Sequence, residues 1–311
     1  MLQGLVIKSF GKTHYVKTSL GILKCSLKGA LRIKGYRSSN LVAVGDRVSV
    51  EQENQGEGSI AEIFDRKNYI IRRSTNLSRE VQIIAANIDL AILMVTLKEP
   101  TTSTVFIDRF LVSAEAYQIP VLLVFNKIDS CKGNDIEKLA EMMAAYDMAG
   151  YQLVSVSVTK RINIDKIREA VEGKTSVLCG LSGVGKSSLI NVLDPSFCLP
   201  VSDISETHLS GKHTTSFAQM LELNFGAYII DTPGIRGFGI VDIKKDELYH
   251  FFPEIFKFSK SCQFYNCLHL NEPGCAVLSA VADGNIAESR YRSYVSMYED
   301  ENKKFRKNKF L

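Results

Sequence analysis

The 311-residue chain is 45% hydrophobic and 23% charged, the balance of an ordinary soluble globular protein long enough for two or three domains. No segment reaches the ~18 uninterrupted apolar residues of a membrane-spanning helix, and the opening Met1 to Gly4 is not a secretion signal, so a cytoplasmic protein without membrane contact is expected. The net charge of +4 conceals an asymmetry: the first 45 residues hold Lys8, Lys12, Lys17, Lys24, Lys28, Arg32, Lys34 and Arg37 and no acidic residue, and Lys303, Lys304, Arg306, Lys307 and Lys309 repeat the bias at the other end. Clustered basic charge is the footprint of a polyanionic partner, or else a solubilising face.

Residues 1–72 read as a small all-β unit. Short β-rich stretches (Gly4 to Phe10, His14 to Lys17, Asp46 to Val50) are punctuated by Gly11, Gly21, Gly35, Gly45, Gly56 and Gly58. Five short strands at that spacing predict a small barrel of the OB type, a nucleic-acid-binding scaffold. Phe10, Tyr15 and Tyr36 are either stacking platforms for bases or barrel core. Arg72 to Arg79, polar and without periodicity, reads as a linker.

From residue 73 to 240 the pattern changes to α/β. Leu90 to Val95 is a continuous apolar run, as in a buried parallel strand. Ile107, Phe110, Leu111, Ala114 and Tyr117 fall on one helical face. Val121 to Phe125 is the next strand and delivers Asn126, Lys127, Ile128 and Asp129 at its C-terminal edge, where ligands bind in open α/β sheets. A carboxylate there can accept two hydrogen bonds from N1–H and the 2-amino group of guanine, a donor pair that adenine lacks. Asp129 is thus expected to select guanine, Asn126 to contact the base edge and tie neighbouring loops, and the stem of Lys127 to cover the ring. A helix from Ile136 to Ala145 and a strand from Tyr151 to Val156 follow. Ser157 and Val158, with Thr159, form a loop where a backbone N–H is expected to meet the guanine O6.

The strand Ser176 to Cys179 leads into Gly180, Leu181, Ser182, Gly183, Val184, Gly185, Lys186 and Ser187, which fits the phosphate-loop pattern G-x-x-x-x-G-K-[ST]; Ser188 opens a helix with Pro195 as its stop. The glycines let backbone N–H groups turn toward a phosphate, and the helix aims its positive end at the same anion. Lys186 is expected on the β- and γ-phosphates and Ser187 on Mg²⁺. Thr214 and Thr215 are both candidates to complete the Mg²⁺ shell and sense the γ-phosphate. A strand from Ala227 to Ile230 then presents Asp231, for Mg²⁺ through water, and Gly234, whose N–H would meet the γ-phosphate.

In a Ras-like GTPase the phosphate loop precedes the base-reading motif; here the order is reversed, so the same parts stand in a circularly permuted chain. The chain leaves this domain just after Gly234, and nucleotide state is therefore expected to act on whatever follows. Ile235 stands where Ras-like proteins carry the glutamine that orients water, which predicts slow intrinsic hydrolysis; His213 is the candidate substitute.

Residues 241–311 read as a mostly helical third domain. Seven cysteines are present; Cys25, Cys131, Cys179 and Cys198 are scattered, whereas Cys262, Cys267 and Cys275 cluster with His269. Three thiolates and one imidazole match a tetrahedral Zn²⁺ site of the closed, structural kind. Arg290 to Arg292 lead into the basic tail.

A basic barrel, a permuted nucleotide domain with Gly180 to Ser187, Lys212 to Thr215 and Asp231 to Ile235, and a Cys-x₄-Cys-x-His-x₅-Cys cluster together resemble the ribosome small-subunit-dependent GTPase A family over nearly the whole chain. The resemblance implies a multidomain α/β fold: an N-terminal OB-type barrel, a central circularly permuted Ras-like GTPase domain and a C-terminal zinc-binding domain. It also implies a bacterial cytoplasmic enzyme, expected as a monomer, that binds GTP or GDP with Mg²⁺, carries one Zn²⁺, and is stimulated by the small ribosomal subunit late in that subunit's maturation, with ribosomal RNA contacts from the barrel and the zinc domain. The family pattern assigns Asn126, Lys127 and Asp129 to the base, Gly180 to Ser188 to phosphates and Mg²⁺, and Cys262, Cys267, His269 and Cys275 to zinc; at the O6 loop, Ser157 and Val158 stand for the family's usual Ser-Ala. The competing reading is a guanine-nucleotide-sensing RNA-binding module with negligible turnover.

Overall fold

The computed structural model describes residues 1–28, 41–73, 81–200, 218–231 and 243–307. Five strands, β1 (Leu2–Phe10), β2 (Thr13–Thr18), β3 (Gly21–Leu27), β4 (Arg47–Asn54) and β5 (Glu57–Ile63), pair in the order β1-β2-β3-β5-β4, and a β1–β4 ladder closes the barrel. Only β3 and β5 run parallel within it. Alternation along these strands sends Val6, Val16, Leu23, Cys25, Val48, Val50 and Ile60 inward to one small core. Phe10 and Tyr15 are not in that core. Both are half-buried, their rings lie 5.7 Å apart, and Lys8 Nζ sits 5.5 Å over Phe10. Tyr36 lies outside the described residues.

β6 (Tyr69–Arg73) and β7 (Val81–Ala86) form an antiparallel pair, so Arg72 and Arg73 of the expected linker belong to β6, while its residues 74–79 lie outside the described residues. Ile70 and Ala85 from this pair join Val44 of the barrel in the core of the central domain, and apolar burial outweighs the polar look of the segment's middle.

The central sheet contains β8 (Leu90–Val95), β9 (Val121–Phe125), β10 (Gln152–Ser155), β11 (Thr175–Gly180), β12 (Gln219–Glu222) and β13 (Tyr228–Asp231), in the order β10-β9-β8-β11-β13-β12. All run parallel except β12. Helices α1 (Thr104–Ala116), α2 (Asn134–Met148), α3 (Ile164–Val171) and α4 (Lys186–Leu193) cover it. The two-residue period of β8 is visible in the packing. Ala91, Leu93 and Val95 face Ile107, Phe110, Leu111 and Ala114 of α1, whereas Leu90, Ile92 and Met94 face Ile167 and Val171 of α3 and Leu189 and Ile190 of α4. Chain order grows outward from β8 through β9 to β10, then returns to the other side of β8 with β11. The strand order therefore reverses between β8 and β11, the topological position that opens a ligand crevice at the strands' C-terminal ends.

Edge strand β12 continues into the barrel through a pairing of Gln219 with Lys8 of β1. The C-terminal region is helical: α5 (Pro253–Ser259), α6 (Ala276–Ala282) and α7 (Glu288–Lys307), preceded by a 3₁₀ segment at Lys245–Phe251. Its core holds Leu248, Phe252, Ile255, Val277, Ile286 and Tyr294, together with Cys267 and Cys275.

Candidate functional site

The phosphate-loop segment leaves β11 at Gly180 and enters α4 at Lys186. Gly180, Gly183 and Gly185 have φ of 141°, 80° and 102°, a region closed to most side chains. Space forbids substitution as well as torsion: a Cβ on Gly180 would lie 2.6 Å from the Met94 carbonyl oxygen, and one on Gly185 would lie 2.5 Å from Asn126 Nδ2. No side chain caps α4, so its first-turn N–H groups are open to an anion. Lys186 Nζ donates to the carbonyls of Gly180 (2.9 Å) and Leu181 (2.7 Å), folded into its own loop. Burial lowers its pKa against the opposing pull of Cys179 and Asp231, so a phosphate would restore the counter-charge that the protein provides only in part. Ser182 is exposed, Val184 is buried, and Leu181, Ser187 and Ser188 are half-buried.

Strand β9 ends two strands away, about 10 Å from β11. Asn126 closes that gap. Its Nδ2 donates to the Val184 carbonyl at 2.8 Å, and its Oδ1 accepts the Val158 N–H at 3.1 Å. One buried amide thus ties the strand end after β9, the loop after β10 and the phosphate loop together. Lys127 adopts a left-handed conformation (φ 63°) and its Nζ donates to the Glu99 carbonyl. Ile128 is half-buried, and Asp129 stands exposed on the one-turn 3₁₀ segment Ile128–Ser130 at the mouth of the crevice. Ser157 is buried and its hydroxyl accepts the Lys160 N–H at 3.1 Å. The Val158 N–H is already engaged by Asn126. Asp231, half-buried at the end of β13, lies in register with Leu178 of β11 and Gln219 of β12. His213, Thr214, Thr215, Gly234 and Ile235 lie outside the described residues.

A second constellation sits in the C-terminal region. One ligand atom each from Cys262, Cys267, His269 and Cys275 falls within 4.8 Å of all the others. Cys262 Sγ and Cys275 Sγ are each 3.5 Å from His269 Nδ1 and 3.9 Å from each other. Metal–sulfur and metal–nitrogen bonds of ordinary zinc length in a tetrahedron give edges of about 3.8 Å for S–S and about 3.6 Å for S–N, which the spacings among Cys262, His269 and Cys275 match, with Cys267 within 4.8 Å of each. Burial pushes the Cys267 thiol up to about 12, raises that of Cys275, and lowers the His269 imidazole. These donors gain most from a cation that displaces the thiol protons and takes a neutral imidazole. The backbone around them is held by Tyr291 and Tyr294, which donate to the His269 and Leu268 carbonyls, and by Glu272, which accepts the N–H groups of Leu268 and Leu270. This supporting shell was not visible in the sequence, because nothing in the spacing links residue 291 to 269.

Among the described residues no helix is long and apolar enough to cross a membrane. Residues 63–241 match the family described as RsgA GTPase, and residues 3–60 match the RsgA N-terminal domain. The small ribosomal subunit biogenesis GTPase RsgA of Bacteroides fragilis strain YCH46 is 49% identical over 300 residues, covering 96% of this chain and 97% of the relative. The protein of the same description from Christiangramia forsetii is 45% identical over 313 residues, 99% of each chain. Two crystal structures share the fold. YjeQ from Thermotoga maritima aligns with a TM-score of 0.78 at 36% identity, over 96% of this chain and 98% of that one. YloQ, described as a circularly permuted GTPase, aligns at 0.76 and 31% identity over 98% and 96%.

Proposed function

The chain belongs to the RsgA family of GTPases, and from that premise we propose that it hydrolyses GTP in response to the small ribosomal subunit during that subunit's biogenesis. The single observation that carries the site assignment is the Asn126 amide, which joins the phosphate loop to the guanine-reading edge so that one nucleotide spans both.

In this reading Asp129 accepts the two guanine donors and the Lys127 stem lies over the ring. With the Val158 N–H held by Asn126, the O6 contact falls to a neighbouring N–H of the same loop. The first-turn N–H groups of α4 and Lys186 hold the β- and γ-phosphates. Lys186 must leave the Gly180 and Leu181 carbonyls to do so, exchanging neutral acceptors for charged ones, which strengthens each bond. Ser187, and Asp231 through water, would hold Mg²⁺, which would supply charge neutralisation at the phosphates. Zinc is the ion we assign to Cys262, Cys267, His269 and Cys275, in a structural role, since four protein donors leave no open position. The half-buried Phe10–Tyr15 pair beside Lys8 supports RNA contact from the barrel. His213 is the proposed water-orienting group, and Thr214 or Thr215 the proposed residue that completes the Mg²⁺ shell and senses the γ-phosphate.

GTP turnover measured with and without small ribosomal subunits tests the reading. Stimulation of 10³-fold or more is expected, the scale on which such partners act; equal rates would leave only a nucleotide sensor. Asp129→Asn is expected to lower GTP affinity about 10²-fold, the scale of a lost charge-assisted hydrogen bond of roughly 3 kcal/mol. Unchanged affinity would remove Asp129 from the base site.

A further inference from the structure

The nucleotide-binding half meets the Cys/His domain where α1 packs against α7 and the 3₁₀ segment. Among the described residues, Val112 of α1 is the one buried side chain from outside the C-terminal region that joins its core. At the centre of that junction lies a single buried guanidinium. Arg290 on α7 is 1% exposed. It donates through Nε (2.7 Å) and Nη2 (3.1 Å) to the two carboxylate oxygens of Glu254 on α5, and through Nη1 (2.7 Å) to Asp108 on α1. Phe252 lies 4.8 Å from it, and Tyr146 and Tyr151 each 5.5 Å. Asp108, Tyr146 and Tyr151 belong to the nucleotide half; Glu254 and Phe252 belong to the other.

A forked, planar cation between two carboxylates fixes angle as well as distance, whereas an apolar seam permits sliding. Buried ion pairs of this kind add little net stability over apolar replacements, so their best-attested use is to select one arrangement. The surroundings make the arrangement exclusive. Asp108 also takes side-chain hydrogen bonds from Ser293 and Tyr146, and Glu115 takes one from Tyr151. Burial pushes the Asp108 carboxyl up against the pull of Arg290, and the half-buried Glu115 beside Tyr151 is raised too. Arg290 is the charge that makes this acidic seam tenable in one geometry. The domain it holds follows the strand that ends at Asp231 in chain order.

We propose that Arg290 is a positioning residue for subunit-stimulated hydrolysis: it locks the Cys/His domain against α1 at one angle, so that a large RNA partner engaged by that domain meets the nucleotide site in register. The proposal rests on the function proposed above, and the test separates the two. Full-length Arg290→Met and the charge-neutral triple variant Asp108→Asn, Glu254→Gln, Arg290→Met are compared with the parent. The readouts are GDP affinity, basal turnover, subunit-stimulated kcat/KM and radius of gyration by small-angle scattering. Both variants should bind GDP and turn over GTP alone within twofold of the parent, scatter as larger particles, and lose at least tenfold in stimulated kcat/KM. Should Arg290→Met fail to fold, the triple variant, which leaves no buried unpaired charge, carries the test. The proposal is overturned if the folded triple variant keeps parental dimensions and full stimulation, because neutral packing would then suffice. It is equally overturned if GDP affinity and basal turnover fall in step with stimulation, because Arg290 would then support the nucleotide fold itself. Absence of stimulation in the parent would strike the function reading alone; scattering would still decide the lock, with unchanged dimensions overturning it.

Discussion

Asn126 uses both ends of its amide inside the protein, toward Val184 and Val158, and Gly185 is the neighbour that leaves room for it. Gly185→Ala would combine a backbone at φ 102° with a methyl 2.5 Å from Nδ2. Strain of this kind costs about 1–3 kcal/mol, and relief requires breaking the Asn126–Val184 bond. The expected outcome is a melting temperature lower by several degrees and GDP affinity down at least tenfold; parental values in thermal unfolding and nucleotide titration would refute it. The residue types of this site were legible because a phosphate loop and Asn-Lys-x-Asp each need fixed short spacings. That Val158's N–H is engaged by Asn126 was not legible, since a 32-residue separation leaves no trace in local pattern.

At the scale of elements, α5, α6 and α7 surround a core in which Cys267 and Cys275 are counted among the buried side chains. If the cluster holds zinc as proposed, loss of one donor removes a strut of that core as well as a ligand. Cys275→Ser is expected to release the metal ion, measurable by a colorimetric chelator, and to melt the C-terminal region while GDP affinity stays within twofold. A protein that keeps both its metal and its melting temperature would show that Cys275 is not a ligand. The strands and helices of the central sheet could be read in advance because Leu90 to Val95 and the α1 periodicity are strong local signals. The β6–β7 pair is hidden in the sequence because Arg72 and Arg73 are polar, while Ile70 and Ala85 pack in the core of the central domain. Arg290 was read only as part of a basic run. Its partners lie 36 and 182 positions away, beyond any periodicity.

At the scale of the molecule, the barrel meets the central domain at Gly45, whose φ of 92° lets the backbone approach Ala86. A Cβ there would lie 2.1 Å from the Ala86 carbonyl oxygen, so Gly45→Ala must push the two bodies apart. Calorimetry should then resolve an early barrel transition, and GDP affinity should hold; a single unchanged transition would count against this account of the junction.

The rotated order of the chain also bears on its synthesis. Leu90 of β8 pairs with Ser176 of β11, 86 positions further along the chain. At ribosomal speeds of roughly 5–20 residues per second, one flank of the sheet's central strand waits about 4–17 s for its neighbour to be made. During that interval the apolar row of β8 that α4 will cover is bare. Until then the half-built sheet carries bare apolar surface of the kind that chaperones cover.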